Sequence, residues 1–409
     1  MTARRHRDAR HPARRVVLAS RIFAPEAAAA TFRLTEVVRA LVARGAQVRV
    51  LTSAPPPGQQ ARDATDVPGA AVRRAPVLRD ATGYVRGYLP YLSFDAPLAV
   101  RLLTTPRPDV ILVEPPPTTG AVVRVVSGMR SLLGRRVPYV YYAADVWSDA
   151  SESVGAPRAV VGLLRWVERF ALRGARDVLA VSEGVAERVR ELGADPVTVV
   201  RNGIDTELFT PEGAVPGAAP AAPFLVYAGT ASEWQGAEIF GAAMHEVIEQ
   251  VPGARLVFLG QGSSWAALQQ IAAELPPGTL ELRPLVPPEQ AAAWQRAAAG
   301  ALVSIRPGLG YDFAYPTKVL AALACGTPVV YAGPGPAAAD LREHGLGEAV
   351  EYAVGPVAEA MVRVLRAHPT PDSERSRRAG WVLEHRSLAR TGSEAAGVVL
   401  STTGAAGRR

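Results

Sequence analysis

Two doubly wound α/β domains in succession are what this sequence predicts, on three observations. Short β-branched runs alternate with longer helical patterns along most of the chain, which is the rhythm of βαβ units. A stretch rich in proline, glycine and alanine interrupts that rhythm near the middle. The length, 409 residues at 48% hydrophobic, exceeds what one core keeps absorbing and supplies material for two.

The first run, Val16-Val-Leu-Ala, reads as a strand. A helical pattern follows from Thr31 to Arg44, and Val48-Arg-Val-Leu is the next strand. Asp109-Val-Ile-Leu-Val, Val137 to Tyr142, Asp177-Val-Leu-Ala-Val and Val197-Thr-Val-Val complete a first parallel sheet. Thr210 to Pro223 has turn residues and no periodicity, so it reads as a linker. A second sheet takes Phe224-Leu-Val-Tyr, Arg255-Leu-Val-Phe-Leu, Leu280-Glu-Leu, Ala301-Leu-Val-Ser-Ile and Pro328-Val-Val-Tyr. Residues from about Ser373 to Leu400 form a further helical stretch, expected to pack across both domains. The expected organisation is thus a disordered basic tail at 1–15, a domain at 16–205, a linker at 206–223, a second domain at 224–372 and a C-terminal helix and tail at 373–409. Ligands of such sheets collect beyond the carboxyl ends of the strands, so two facing domains would enclose a cleft.

The chain holds a single lysine among its 45 basic residues, Lys318, in Tyr315-Pro-Thr-Lys-Val-Leu-Ala-Ala-Leu-Ala-Cys-Gly326. Pro316 suits the first helical position, Val319, Leu320 and Leu323 follow at helical spacing, and Gly326 stands where a left-handed cap ends the helix. Lys318 falls in the first turn, where a cation opposes the positive end of the helix dipole. An anion bound at the free N–H groups would reverse that sign, so the position points to a phosphate ligand. A lysine stem lying over apolar surface with its charge in water is the competing reading. The predominance of arginine matches a GC-rich, actinobacterial-like composition; a lysine that survives such a bias suits a site that needs a compact ammonium rather than a planar guanidinium.

Net charge is +7 but unevenly shared. Residues 1 to 205 carry 30 basic and 19 acidic side chains, the remainder 15 and 19. A basic first half suits an anionic acceptor or an anionic membrane surface. No nucleic-acid motif is present and aromatic interleaving is sparse, so nucleic acid is not an expected partner. No run approaches the ~18 apolar residues of a membrane span, and Val16 to Ser20 is too short for a signal-peptide core. One cysteine, Cys325, permits no intrachain disulfide and reads as a small buried hydrophobe. A cytoplasmic protein is expected, with peripheral contact at the inner membrane left open.

In the second half, strand ends carry small or polar residues: Tyr227-Ala-Gly-Thr230 leads into Ser232-Glu-Trp-Gln-Gly236, and Phe258-Leu-Gly-Gln-Gly-Ser-Ser264 into a helix. Leu285-Val-Pro-Pro-Glu289 and the lysine helix come next, each after a strand. That order resembles the C-terminal domain of the GT-B glycosyltransferases of family 4, retaining enzymes that use nucleotide-activated sugars, in particular bacterial polysaccharide and natural-product types. The resemblance covers nearly the whole chain. Phe23 to Leu34 followed by Ala40 to Thr52 is similar to the family's first strand-loop-helix unit, and Val181-Ser-Glu-Gly with Val200-Arg-Asn-Gly-Ile-Asp-Thr-Glu-Leu-Phe209 to its entry into the linker.

The resemblance implies a donor site in which Lys318 and the N–H groups around Thr317 hold the diphosphate. Gly229, Thr230 and Gln235 would line its other side, Gly260 and Gly262 would lie near the nucleoside, and Leu285 and Val286 against the base. In the first domain it implies that the loop holding Glu26 and Arg33 faces the cleft, as do Asp145 and Trp147, the last suited to an apolar sugar face or lipid carrier. Packing for Trp147 and an N-cap role for Asp145 are the structural alternatives. Two departures stand out. The family's paired glutamates, separated by seven residues, are replaced by Phe313 and Ala321, with Asp312 adjacent to the first. Its basic pair after the domain's first strand is replaced by Glu233 and Gln235.

The implied activity is retaining transfer of a hexose-type sugar from a nucleoside diphosphate to a hydroxyl acceptor, whether glycan, lipid-linked or small molecule. Charge building on the departing diphosphate calls for preorganised N–H donors and a cation. Lys318 fits that role, with Asp145 and Glu26 as the remaining catalytic candidates. Neither a metal nor a cofactor is expected, since no tight His/Asp/Glu ligand cluster is present. Ala321 keeps a second reading open, a nucleotide-sugar-binding protein with little transferase activity; a sugar-nucleotide epimerase of the same architecture is a third.

Overall fold

The computed structural model describes residues 13–26, 28–56, 67–79, 85, 88–134, 136–153 and 156–404. The basic tail expected at 1–15 therefore lies outside the described residues up to position 12. The chain divides into two compact units, residues 1–201 with 391–409, and residues 202–390.

The first unit runs β1 (Arg15–Ala19), α1 (Ala29–Ala43), β2 (Gln47–Ser53), β3 (Ala70–Ala75), α2 (Tyr88–Thr104), β4 (Val110–Val113), α3 (Pro117–Leu132), β5 (Tyr139–Ala143), α4 (Trp147–Ser153), α5 (Arg158–Gly174), β6 (Asp177–Ala180), α6 (Glu183–Glu191) and β7 (Val197–Val199). Its strands form one seven-stranded sheet in the order β3-β2-β1-β4-β5-β6-β7, with every pairing parallel. Side-chain alternation splits the central strands between two cores. Val17, Ala19, Ile111, Val113, Tyr139 and Tyr141 pack on one face, and Val16, Leu18, Val110, Leu112, Val140 and Tyr142 on the other. Burial on both faces is why these runs read as nearly continuous apolar segments.

The second unit contains β8 (Phe224–Thr230), α7 (Glu238–Gln250), β9 (Arg255–Gln261), α8 (Trp265–Glu274), β10 (Leu280–Arg283), α9 (Pro288–Ala297), β11 (Gly300–Ser304), α10 (Thr317–Ala324), β12 (Val329–Ala332), α11 (Pro336–Glu343), β13 (Gly347–Val350), α12 (Val354–Arg366) and α13 (Asp372–Arg386). A last helix, α14 (Leu388–Gly404), gives its apolar residues Ala395, Ala396 and Val399 to the first unit's core. The second sheet is ordered β10-β9-β8-β11-β12-β13 and is also parallel. In each sheet the strand order reverses beside its first strand, which places a crevice at the carboxyl ends of β1 and β4, and of β8 and β11.

Two strands escape the sequence reading, β3 and β13, and both are sheet edges. β3 carries Arg73 and Arg74 and no fully buried residue. β13 is Gly-Glu-Ala-Val, half-buried throughout. Edge strands need little apolar surface, so their sequence signal is weak. The expected single C-terminal helical stretch is two helices. Ser387 is extended between them, and the chain there bridges to Ile204, whose N–H donates to Arg386 O at 2.8 Å and whose carbonyl accepts from Leu388 N at 2.9 Å. The proline-rich stretch before β8 is laid onto the second unit. Phe209 enters its core, and the Arg296 guanidinium donates to the Ala214 and Thr210 carbonyls.

Gly260 marks the tightest constraint in the second sheet. It pairs with Gly229 across β8 and β9, and a Cβ there would lie 2.0 Å from the Gly229 carbonyl oxygen. Backbone cannot yield as a flexible side chain can, so Gly260→Ala must pry the two strands apart at their carboxyl ends. We expect a loss of at least about 2 kcal/mol, read as a lower urea midpoint with unchanged slope. Gly380→Ala is the control: it sits on α13 with nothing within 4 Å of its added Cβ and should stabilise by ~0.5–1 kcal/mol.

Candidate functional site

Helix α10 is built as its sequence dictates, displaced by one residue. Pro316 is its N-cap and Thr317 its first residue, because a proline with extended ψ leads into a helix without a missing N–H being felt. The other end closes on Gly326 at φ +76°. Its N–H donates to Leu323 O and that of Thr327 to Ala322 O, the two bonds of a Schellman cap. Between the caps Val319 to Ala324 are all buried, which fixes which way the first turn points.

That first turn places the Lys318 ammonium 2.5 Å from the Thr230 carbonyl oxygen and 3.0 Å from the Tyr227 hydroxyl, with Nζ 4.7 Å from the centroid of the Tyr227 ring. Tyr227 is buried, and its hydroxyl also reaches Thr230 O at 2.9 Å and Gln235 Oε1 at 3.3 Å. Gln235 is itself buried and accepts from Ser232 N at 3.1 Å, so it holds the loop after β8 in shape. The lysine stem passes over Gly229, where φ is +121° and a Cβ would lie 2.7 Å from Lys318 Cε. No carboxylate pairs with the ammonium among the described residues, and burial pushes its pKa down to about 7. The ammonium is thus held by neutral acceptors at a helix start, with the N–H groups of Thr317 and Lys318 free of intrahelical partners, an arrangement whose electrostatics suit an anion.

Of the residues singled out in the sequence, Lys318, Thr317, Gly229, Thr230 and Gln235 thus come together. Gly260 and Gly262 are adjacent, and both are explained by backbone crowding, a Cβ on Gly262 falling 2.2 Å from Ala231 O. Asp312 is engaged locally, its carboxylate accepting from Gly308 N at 3.1 Å. Leu285 is exposed. Val286 lines a mainly apolar cavity of about 530 Å³ with Leu259, Arg283 and Trp294. Ala321 is buried in the core under α10, and Phe313 is exposed.

In the first unit the candidates stand in separate groups. Arg33, on α1, is buried and paired with Glu114 at 2.5 Å, and lies 4.9 Å from the Tyr142 ring centroid. Burial opposes its charge, but Glu114, with Tyr142 and Asp145, more than offsets this and raises it. The Ser20 hydroxyl donates to the second Glu114 oxygen at 2.9 Å. Loss of hydration raises the Asp145 carboxyl above its ordinary value, and the Arg33 charge opposes the rise. Glu26 is buried against Arg79 at 2.8 Å, so it is an ion-pair partner in a fastened loop. Trp147 opens α4, its N–H donating to Glu168 Oε1 at 2.8 Å while Ser148 N donates to Oε2 at 3.1 Å. Its ring meets Tyr91 edge-on at 5.7 Å, and the Arg21 guanidinium lies 4.4 Å from the Tyr91 centroid and 5.9 Å from that of Trp147.

Tyr227, Glu114, Arg21 and Glu168 are the residues that sequence reasoning missed. Glu114 had a visible signal, a carboxylate directly after the apolar run Val110 to Val113. Glu168 had another, since it falls on the buried stripe of an amphipathic helix with Val161, Ala171 and Leu172. Tyr227 had none, being an ordinary strand residue until its hydroxyl is placed beside the lysine.

Residues 28–203 match the model of the glycosyl transferase 4-like domain, and residues 222–367 that of the glycosyl transferases group 1. The sequence matches no curated protein. Among solved structures the chain is similar to sucrose-phosphate synthase from Thermosynechococcus elongatus, at 17% identity and TM-score 0.68 over 96% of this chain and 100% of that one. It is also similar to Anabaena HepE in complex with UDP-glucose, at 16% identity and TM-score 0.63 over 95% and 99%. A third is the catalytic domain of starch synthase IV from Arabidopsis thaliana bound to ADP and acarbose, at 13% identity and TM-score 0.68 over 96% and 99%. Two Rossmann-like domains of this kind, together with the two domain matches, define an enzyme of the GT-B glycosyltransferase class. Within that class the chain belongs to the family 4 glycosyltransferases.

Proposed function

We propose that the protein is a retaining glycosyltransferase that moves a hexose-type sugar from a nucleoside diphosphate to a hydroxyl on an anionic or lipid-carried acceptor at a membrane surface. The observation that carries the donor half is the Lys318 ammonium, fixed by Tyr227 and Thr230 at the open start of α10. As the glycosidic bond breaks, charge accumulates on the diphosphate oxygens, and the ammonium with the first-turn N–H groups would receive it without reorganising. Gly229 leaves room for the lysine stem that carries the ammonium to this place, and Val286 with its apolar cavity offers a surface for a base. In the first unit Asp145, with its raised pKa, and Trp147 stand at the carboxyl end of β5, where an acceptor would be met. HepE bound to UDP-glucose and starch synthase IV bound to ADP support a nucleotide ligand. The two differ in base, uracil in one and adenine in the other. No metal or cofactor enters this scheme.

A donor panel read by thermal shift, followed by product analysis with the responding donor, tests this reading. A donor should raise the melting temperature, and its sugar should appear on a hydroxyl acceptor with its anomeric configuration retained. Ala321 favours a second reading, a binding protein that does not transfer, because the carboxylate that would engage the nucleotide sugar is replaced by a buried methyl. Stabilisation by a donor with no transfer across an acceptor panel would select that reading. Inversion of the anomeric centre would overturn the retaining assignment alone.

A further inference from the structure

Arg21 and Arg33 are both buried at the carboxyl ends of the first unit's central strands, and among the described residues only one of them has a counterion. Arg33 is paired with Glu114. Arg21, two residues beyond β1, is 7% exposed and forms no ion pair among the described residues. Its Nη1 donates to the Val85 carbonyl at 2.9 Å, its Nε is buried without a partner, and Nη2 makes no hydrogen bond among the described residues. The Nε–Nη2 edge, the side of a guanidinium that grips an oxyanion through two parallel N–H bonds, is therefore unsatisfied. A buried charge in this condition is costly until something binds it.

The carboxylates nearby are committed elsewhere. Glu114 gives one oxygen to Arg33 and the other to the Ser20 hydroxyl. Asp95 feels the Arg21 charge, but it is buried and accepts from the Thr119 hydroxyl at 2.7 Å, and loss of hydration raises its carboxyl above the ordinary value. Glu168 takes the first N–H groups of α4, and Glu26 takes Arg79. The backbone at Arg21 is pinned as well. Its carbonyl accepts from the Ser53 hydroxyl at 2.7 Å, and Ser20 N donates to Leu51 O at 3.2 Å, so the guanidinium is presented from a fixed segment between β1 and β2. It lies against the rings of Tyr91 and Trp147. Both rings are half-buried, which leaves aromatic surface beside the cation for the C–H face of a sugar.

We infer that Arg21 is an oxyanion site that takes the phosphate or carboxylate of a charged sugar acceptor, whose ring lies against Tyr91 and Trp147. The inference deepens the acceptor half of the function proposed above and rests on that reading only for calling the ligand an acceptor. Every group in it belongs to the first unit.

Calorimetry on the full chain carrying Lys318→Met, which disables the anion site of the second unit, tests it with glucose 6-phosphate, glucuronate and glucose as probes. At least one anionic probe should bind and glucose should not, and adding Arg21→Met should weaken the binding at least about tenfold. Binding of one anion alone supports the site and names its oxyanion. Arg21→Lys, which keeps the charge but not the fork, should recover only part of the affinity. Arg21→Met should melt no lower than its parent, since the interior loses an uncompensated charge along with one hydrogen bond. A lower melting temperature with unchanged affinity would make Arg21 a prop for Val85 and overturn the inference. Failure of both anions to bind would also overturn it, as would equal affinity for glucose. No readout here requires sugar transfer, so the result holds whichever donor or stereochemical outcome the transfer assays return.

Discussion

Lys318→Met should lower sugar transfer by about 10²- to 10³-fold while raising the melting temperature. The two effects have one cause. The ammonium is held by neutral acceptors and has no carboxylate partner among the described residues, and its burial at the positive end of α10 costs stability that only a bound anion repays. Methionine keeps the stem that passes over Gly229, and the Tyr227 hydroxyl still donates to Thr230 O, so no buried acceptor is orphaned. The pH dependence follows from the lowered pKa of about 7. Between there and the ordinary 10.5 the unfolded chain holds a proton that the folded chain lacks, so stability rises as pH increases through that window. Below pH 7 the charge is present in both states and its burial cost is fully felt. The gain from Lys318→Met should therefore be larger at pH 6 than at pH 9. Binding of a donor diphosphate raises the lysine pKa again, so calorimetry near pH 8 in buffers of different ionisation enthalpy should register uptake of up to about one proton. A variant that transfers at the wild-type rate would end the proposed role of this lysine.

Glu114→Ala should destabilise the first unit by ~3–5 kcal/mol, a fall of roughly 10 °C in the melting temperature of a domain this size. The carboxylate serves two buried partners at once, Arg33 and Ser20. Among the described residues its removal leaves the buried Arg33 guanidinium with Asp145 and the Tyr142 ring as its remaining electrostatic neighbours. The loss is the cost of an unpaired charge rather than the worth of the ion pair. Arg33→Met combined with Glu114→Leu should accordingly recover most of the stability. If the single and double variants melt together, the pair is not what holds α1 to the end of β4.

The regular interior of the fold is legible in the sequence because burial on both faces leaves a strong mark. Val16 to Ala19, Val110 to Val113 and Ala301 to Ser304 are runs that only a covered parallel sheet accommodates. The marks fade at the edges, where β3 and β13 need little apolar surface, and at the C-terminus. There a single helical stretch from Ser373 became two helices because Ser387 pairs with Ile204. That pairing joins residues 183 positions apart, and no local pattern announces it.

The candidate site divides in the same way. By itself the sequence determined that a lone lysine starts a capped helix between two parallel-sheet strands, since proline, apolar spacing and glycine act within one turn of the chain. It also showed that the carboxylate expected beside it had become Ala321. Only the tertiary structure decided which groups surround that lysine, because Tyr227 and Thr230 reach it from a strand some 90 residues away. It likewise converted Glu26 and Arg33 from free candidates into members of buried ion pairs, and left Arg21 buried without one among the described residues. The reason in each case is that periodicity records which side of an element is buried, whereas charge, protonation and partner depend on what the fold brings against it.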